Sequence, residues 1–108
     1  MARAVARGDL WLYRFGAPDK RRPVLVLSRP AALARLRTAI VAPVTTTIHG
    51  LPSEVRVGVK DGLKSASVVN TDHLLTVAQD QLKVWLGRLD ETRMREVCLA
   101  AEVALGCR

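Results

Sequence analysis

The feature that most restricts this chain is its punctuation: strand-length apolar runs are broken every few residues by turn formers, and a helical period appears only near the C-terminus. From Gly8, the run Asp9-Leu10-Trp11-Leu12-Tyr13-Arg14 is rich in strand formers, and Gly16-Ala17-Pro18-Asp19 supplies a turn. Arg22-Pro23 leads into Val24-Leu25-Val26-Leu27, a continuous apolar run of the kind buried on both faces of a sheet. A proline at its start is tolerated where no ladder donor is needed. Pro30 to Leu36, Ala/Leu-rich with proline first, predicts a short helix, and Thr38 to Thr45 predicts a third strand closed by Thr45-Thr46-Thr47.

After the loop His49 to Ser53, Glu54-Val55-Arg56-Val57-Gly58-Val59 alternates as a half-exposed strand does, and Lys60-Asp61-Gly62 turns the chain. Ser67 to Asn70 and Leu74 to Val77 read as two short strands, or as one bent at Thr71-Asp72. Asp80 to Trp85 reads as a short helix. From Asp90, Met94, Val97, Cys98, Ala101 and Leu105 fall on one helical face, with Asp90 as N-cap and Gly106 as terminator. Closely spaced short strands point to a small barrel. The fold class is therefore α+β and mainly β, a small barrel of about five to seven strands with one short helix and a C-terminal helix. At 108 residues without a second composition regime, residues 1–108 are expected to form a single domain.

Aromatic residues make up 4% and apolar residues 49%, so Val, Leu, Ala and Ile must build the core. No apolar run approaches a membrane span, and Arg3 and Arg7 interrupt the place of a signal peptide, which predicts a soluble, cytoplasmic protein. Cys98 and Cys107 belong to no CxxC pair or His-rich tract, which argues against zinc; a buried Cys98 with a loose Cys107 is favoured over a disulfide. Residues 1–50 carry nine Lys and Arg against two acids, a net +7, whereas residues 51–108 carry eight of each sign. A polyanion is the natural partner of such a distribution, with a merely solubilising basic surface as the alternative.

Several of these segments, in order, resemble the MazF/PemK family of toxin endoribonucleases. They are Arg7-Gly8-Asp9-Leu10, Arg21-Arg22-Pro23-Val24-Leu25-Val26-Leu27-Ser28, Val41-Ala42-Pro43-Val44-Thr45-Thr46-Thr47-Ile48, Gly50-Leu51-Pro52-Ser53-Glu54-Val55, Ser67-Val68-Val69-Asn70, and Thr76-Val77 leading into Leu86-Gly87-Arg88-Leu89. The resemblance implies an SH3-like barrel, a homodimer, single-stranded RNA bound along a groove at the dimer interface, and a cognate acidic antitoxin of the MazE kind. It implies a metal-independent endoribonuclease that needs no cofactor, with catalytic positions falling on Arg22 and Thr45. Arg14, Lys20, Arg21, Ser28, Thr46, Thr47 and His49 are the candidate RNA contacts. Two departures stand out: the first loop, Phe15 to Lys20, lacks the Gly-Ser-Glu-Gln-like stretch of many members, and Leu75 stands where a basic residue is frequent.

The chemistry suits those residue types. Attack of the RNA 2′-hydroxyl on its own phosphate builds negative charge at phosphorus, and a permanently charged, forked guanidinium is suited to stabilise it. A β-branched threonine at a strand end holds its hydroxyl in few rotamers, and it can donate to a phosphate oxygen. The products would be a 2′,3′-cyclic phosphate and a 5′-hydroxyl, and DNA would survive. Two other readings share the fold or the charge: a CcdB-like topoisomerase poison and a non-catalytic RNA-binding barrel. A two-histidine acid–base pair, His49 with His73, is a further chemical option, although residue type alone favours a surface or supporting role for both.

Overall fold

The protein is seen here as a computed structural model describing residues 3–16 and 20–107. Its elements are β1 (Asp9–Arg14), β2 (Arg21–Val26), α1 (Pro30–Arg35), β3 (Thr38–Thr45), β4 (Glu54–Val57), β5 (Ser67–Asn70), β6 (Leu75–Ala78), β7 (Val84–Arg88) and α2 (Glu91–Leu105), with single 3₁₀ turns at Val59–Asp61, Thr71–His73 and Gln79–Gln81. The seven strands form one curled antiparallel sheet in the order β4-β5-β3-β2-β1-β7, and β6 pairs with β3 as well. The longest strand, β3, organises it. One edge of β3 pairs with β2, and the other takes β6 against Thr38–Val41 and then β5 against Val44 and Thr45.

Alternation along the central strands explains the continuous apolar runs, because successive side chains enter two different cores. Leu25, Ala42 and Val44 face one cluster with Val55, Val69 and Val97, closed by α2. Trp11, Val24, Val26, Val41 and Val77 form the second cluster on the other face. Leu75 packs against that second cluster, which accounts for an apolar residue at this position.

Three expectations need correction. Asp80 to Trp85 is not a helix: a single turn, Gln79–Gln81, precedes β7, which pairs with β1. The Gln79 side-chain amide donates to the carbonyls of Leu33, Leu36 and Thr38, so this turn is fixed by α1 and the start of β3. The predicted face of α2 is displaced as well. Met94, Val97 and Ala100 are its buried residues, whereas Leu105 is 65% exposed. Cys98 is half-buried rather than buried, and both cysteines are free thiols; the Arg7 guanidinium donates to Cys98 Sγ at 3.0 Å. The Asp90 cap and the Gly106 terminator stand as expected: Asp90 Oδ1 accepts from Arg93 N at 2.8 Å, and Gly106 is left-handed at φ 72°. Of the turn Gly16 to Asp19, residues 17–19 lie outside the described residues. Among the described residues no helix is long and apolar enough to cross a membrane.

Asp9 is 0% exposed, and its carboxylate accepts from four donors. Ala6 N (2.9 Å) and Trp11 Nε1 (3.3 Å) reach Oδ2, while Trp85 Nε1 (3.3 Å) and Arg88 Nε (2.8 Å) reach Oδ1. A buried carboxylate is tolerated only with such a complete set of donors. Between Trp85 and Arg88 on the same strand, Gly87 lies against Gly62. A Cβ on Gly87 would collide with the Asp61 carbonyl, and one on Gly62 with the Leu86 carbonyl, so the Val59–Asp61 turn docks on β7 only because both residues are glycine.

Asp9→Ala strands two indole N–H groups and a guanidinium, and it should destabilise the fold by about 3 kcal/mol. Thermal unfolding would then fall by more than ~10 °C; an unchanged melting curve would refute the anchoring role. Gly87→Ala, whose methyl meets backbone rather than a movable side chain, should cost about 2 kcal/mol, measured as a lower denaturant midpoint at unchanged slope.

Candidate active site

The β2–β3 register builds the site. Val24 pairs with Pro43 and Leu25 with Ala42; continued two residues outward, the same register brings Arg22 opposite Thr45. Positions two apart share a sheet face, so Arg22 and Thr45 extend the face of Val24 and Val41, away from α2. Beside them β5 runs against the end of β3, with Val68 opposite Thr45, and it delivers Asn70 and then His73. Arg22, Pro43, Thr45, Thr47, His49, Asn70 and His73 together line an open cavity of about 270 Å³.

Arg22 is exposed, and its guanidinium has no ion-pair or hydrogen-bond partner among the described residues, so its charge faces the cavity uncompensated. Thr45 is half-buried, and its Oγ1 accepts from Thr47 N at 3.1 Å. That bond folds the chain back after β3 and leaves the hydroxyl proton available to donate. The loop carrying His49 is held by one carboxylate: Glu54 accepts from the backbone N–H groups of His49, Gly50 and Leu51. The turn carrying His73 is held by Asn70, whose Oδ1 accepts from Asp72 N at 3.0 Å, and by Ser53. The Ser53 carbonyl accepts from Thr71 Oγ1 at 2.6 Å, and its hydroxyl donates to Asp72.

The other candidate contacts lie elsewhere. Arg14 and Arg21, paired across the β1–β2 hairpin, line a separate cavity of about 250 Å³ with Tyr13, Gln81 and Lys83. Lys20 is exposed at the entry to β2 and lines neither cavity. Thr46 is exposed between the two threonines that face the cavity, outside its lining. Ser28 is 8% exposed, and its hydroxyl accepts from Ile40 N at 2.7 Å. It fixes the corner between β2 and α1 and does not reach the Arg22 cavity.

Asn70 lines the cavity although the sequence reading did not name it as a site residue, and His73, weighed there only as a partner of His49 with a surface or supporting role favoured, lines it as well. The available signal was the Asn70-Thr71-Asp72 spacing of a side-chain-capped turn, which marks a fixed loop but not what it faces. Among the described residues no three His, Cys, Asp or Glu side chains are grouped to hold a metal ion.

Known proteins resemble this chain over most of its length. A probable endoribonuclease, MazF5 of Mycobacterium tuberculosis, is 50% identical over 103 residues, 94% of each chain. The Mycobacterium tuberculosis toxin MazF-mt6 superposes with a TM-score of 0.82 at 33% identity, covering 91% of this chain and 96% of its own. A mycobacterial endoribonuclease solved in complex with its cognate antitoxin superposes at 0.87 with 28% identity, covering 97% and 98%. The family model of the PemK-like, MazF-like toxins of type II toxin–antitoxin systems matches residues 6–105, nearly the whole curled sheet and its closing helix, and the chain belongs to that family.

Proposed function

We propose that this protein is the toxin of a type II toxin–antitoxin system, a single-domain, metal-independent endoribonuclease that cuts single-stranded RNA in the cytoplasm. The observation that supports it best is the meeting in one open cavity of a strand-end Thr45 and an Arg22 whose side chain has no partner among the described residues, in a chain whose first half is strongly basic. In this reading the RNA 2′-hydroxyl attacks the adjacent phosphorus and the 5′-oxygen leaves, giving a 2′,3′-cyclic phosphate and a 5′-hydroxyl. Arg22 stabilises charge on the non-bridging oxygens through forked donors, and the Thr45 hydroxyl donates to one of them. Thr47 and His49 contact the RNA beside the cleavage point. Arg14, Lys20 and Arg21 hold flanking phosphates by charge rather than by base identity.

The protein acts as a homodimer, silenced by an antitoxin whose acidic segment covers the basic surface. Relatives of this fold include an endoribonuclease solved with its cognate antitoxin, which supports that arrangement.

Purified protein in EDTA should cleave a mixed-sequence single-stranded RNA and leave the matching DNA intact. Arg22→Ala and Thr45→Ala should each lower the cleavage rate by about 10²-fold or more, Arg22→Ala with unchanged thermal unfolding and Thr45→Ala with at most the small loss expected from its one exposed bond to Thr47 N. Absence of cleavage of any RNA, or cleavage requiring a divalent ion, would overturn the reading. An acidic antitoxin segment should bind with an affinity that falls steeply as salt rises; salt-independent binding in a titration would refute the electrostatic cover.

A further inference from the structure

The cavity holds two imidazoles, and one dipeptide fixes both of the loops that carry them. Ser53 and Glu54 stand at the entry to β4. Glu54 gathers the backbone of His49, Gly50 and Leu51, while Ser53 holds Thr71 and Asp72, the residues before His73. The two loops are therefore positioned relative to each other by adjacent residues, although His49 and His73 lie far apart in the chain. Both histidines are exposed and line the cavity with Arg22 and Thr45, and among the described residues neither ring has a hydrogen-bond partner. Their nitrogens are available to a ligand.

The proposed chemistry needs two proton movements that Arg22 and Thr45 cannot perform. A guanidinium does not release its proton near neutral pH, and a threonine hydroxyl is too weak a base to take one. Imidazole changes charge in the physiological range. We propose that His49 and His73 are the general base and general acid of RNA cleavage at this site, an inference that rests on the endoribonuclease reading. The neutral imidazole takes the proton of the 2′-hydroxyl as the 2′-oxygen–phosphorus bond forms. The other, as imidazolium, gives its proton to the 5′-oxygen as the phosphorus–oxygen bond breaks. Exchange with water restores both rings after the cyclic phosphate leaves.

The charged surroundings are defined. Arg22 of β2 is the charged residue that shares the cavity lining, while Thr45, Thr47 and Asn70 are neutral. Glu54 is engaged with the backbone of the His49 loop, and Asp72 with Ser53. Helix α2 packs against the Thr71–His73 turn but gives no side chain to the lining among the described residues.

The test compares wild type with His49→Gln and His73→Gln in single-turnover cleavage from about pH 5 to pH 9. One substrate is ordinary RNA; the other carries sulfur in place of the bridging 5′-oxygen, a leaving group that needs no general acid. Thermal unfolding is measured for each variant. Wild type should show a bell-shaped profile on RNA, and each variant should lose about 10²-fold or more together with one limb of the bell. The variant lacking the acid should recover most of its rate on the sulfur-bridged substrate, and the other should not, which assigns the two roles. If wild type cleaves RNA while either variant stays within about threefold of it with both limbs intact, the pair is refuted and the endoribonuclease reading stands. If wild type cleaves neither substrate, the endoribonuclease reading itself fails.

Discussion

The Asp9 carboxylate is the interaction on which the remaining geometry hangs. It has no access to water, so every lone pair that faces the protein needs a donor, and the donors come from three parts of the chain: Ala6 before β1, Trp11 within it, and Trp85 and Arg88 on β7. Only one pairing of β1 with β7 supplies them all, and that pairing includes a bulge that leaves Leu86 without a partner between Gly87 and Trp85. Register then passes inward through the sheet, from β1 to β2 and from β2 to β3. The meeting of Arg22 with Thr45 is thus a consequence of an anchor at the far side of β1, formed by residues that take no part in the site.

The parts of the fold that could be read from sequence are those where local chemistry and tertiary context agree. Val24 to Leu27 is apolar throughout because β2 is covered on both faces, and Asp90 and Gly106 bound α2 because capping is a local hydrogen-bonding matter. Residues 80–85 were misread because their structure is imposed from outside. Gln79 is held by carbonyls of α1 and β3, and β7 exists by pairing with β1, while Gly87 and the bulge break its alternation. The close approach of Gly62 and Gly87 belongs to the same class: each glycine is needed only because of the other. Leu105 continues the periodicity of α2, yet it is exposed: periodicity says which face a residue is on but not whether anything covers that turn.

The site divides in a similar way. Arg22 and Thr45 were assigned through resemblance, and the register gives the physical reason why residues so distant in sequence lie side by side. Ser28 was drawn to the site by its neighbours in the chain, but the end of β2 opposite to Arg22 is a corner, where its hydroxyl serves Ile40. The place of His73 and Asn70 in the cavity was not legible for the converse reason. They arrive through the pairing of β5 with β3, and nothing in their own segment says which loop they will face.

Charge distribution links fold to chemistry. In the balanced second half several cations are used internally: Arg88 pairs with Asp9, and Arg93 with Asp61 and Glu96. The excess stays on the β1–β2 hairpin and around α1, where a polyanion meets a broad positive field. Attraction of that kind brings RNA to the surface but does not discriminate a transition state from a ground state. Discrimination requires charge in the right place with little water around it, and the Arg22 cavity is open. In the proposed chemistry the RNA must therefore complete its own active site: a base or sugar lodged against Thr47 and Asn70 displaces solvent and strengthens the field of Arg22 at the reacting phosphate. An enzyme built this way couples rate to fit. On the proposed chemistry, nucleotides that do not fill the cavity would leave Arg22 screened, and sequence selectivity would then arise in the cleavage step as well as in binding.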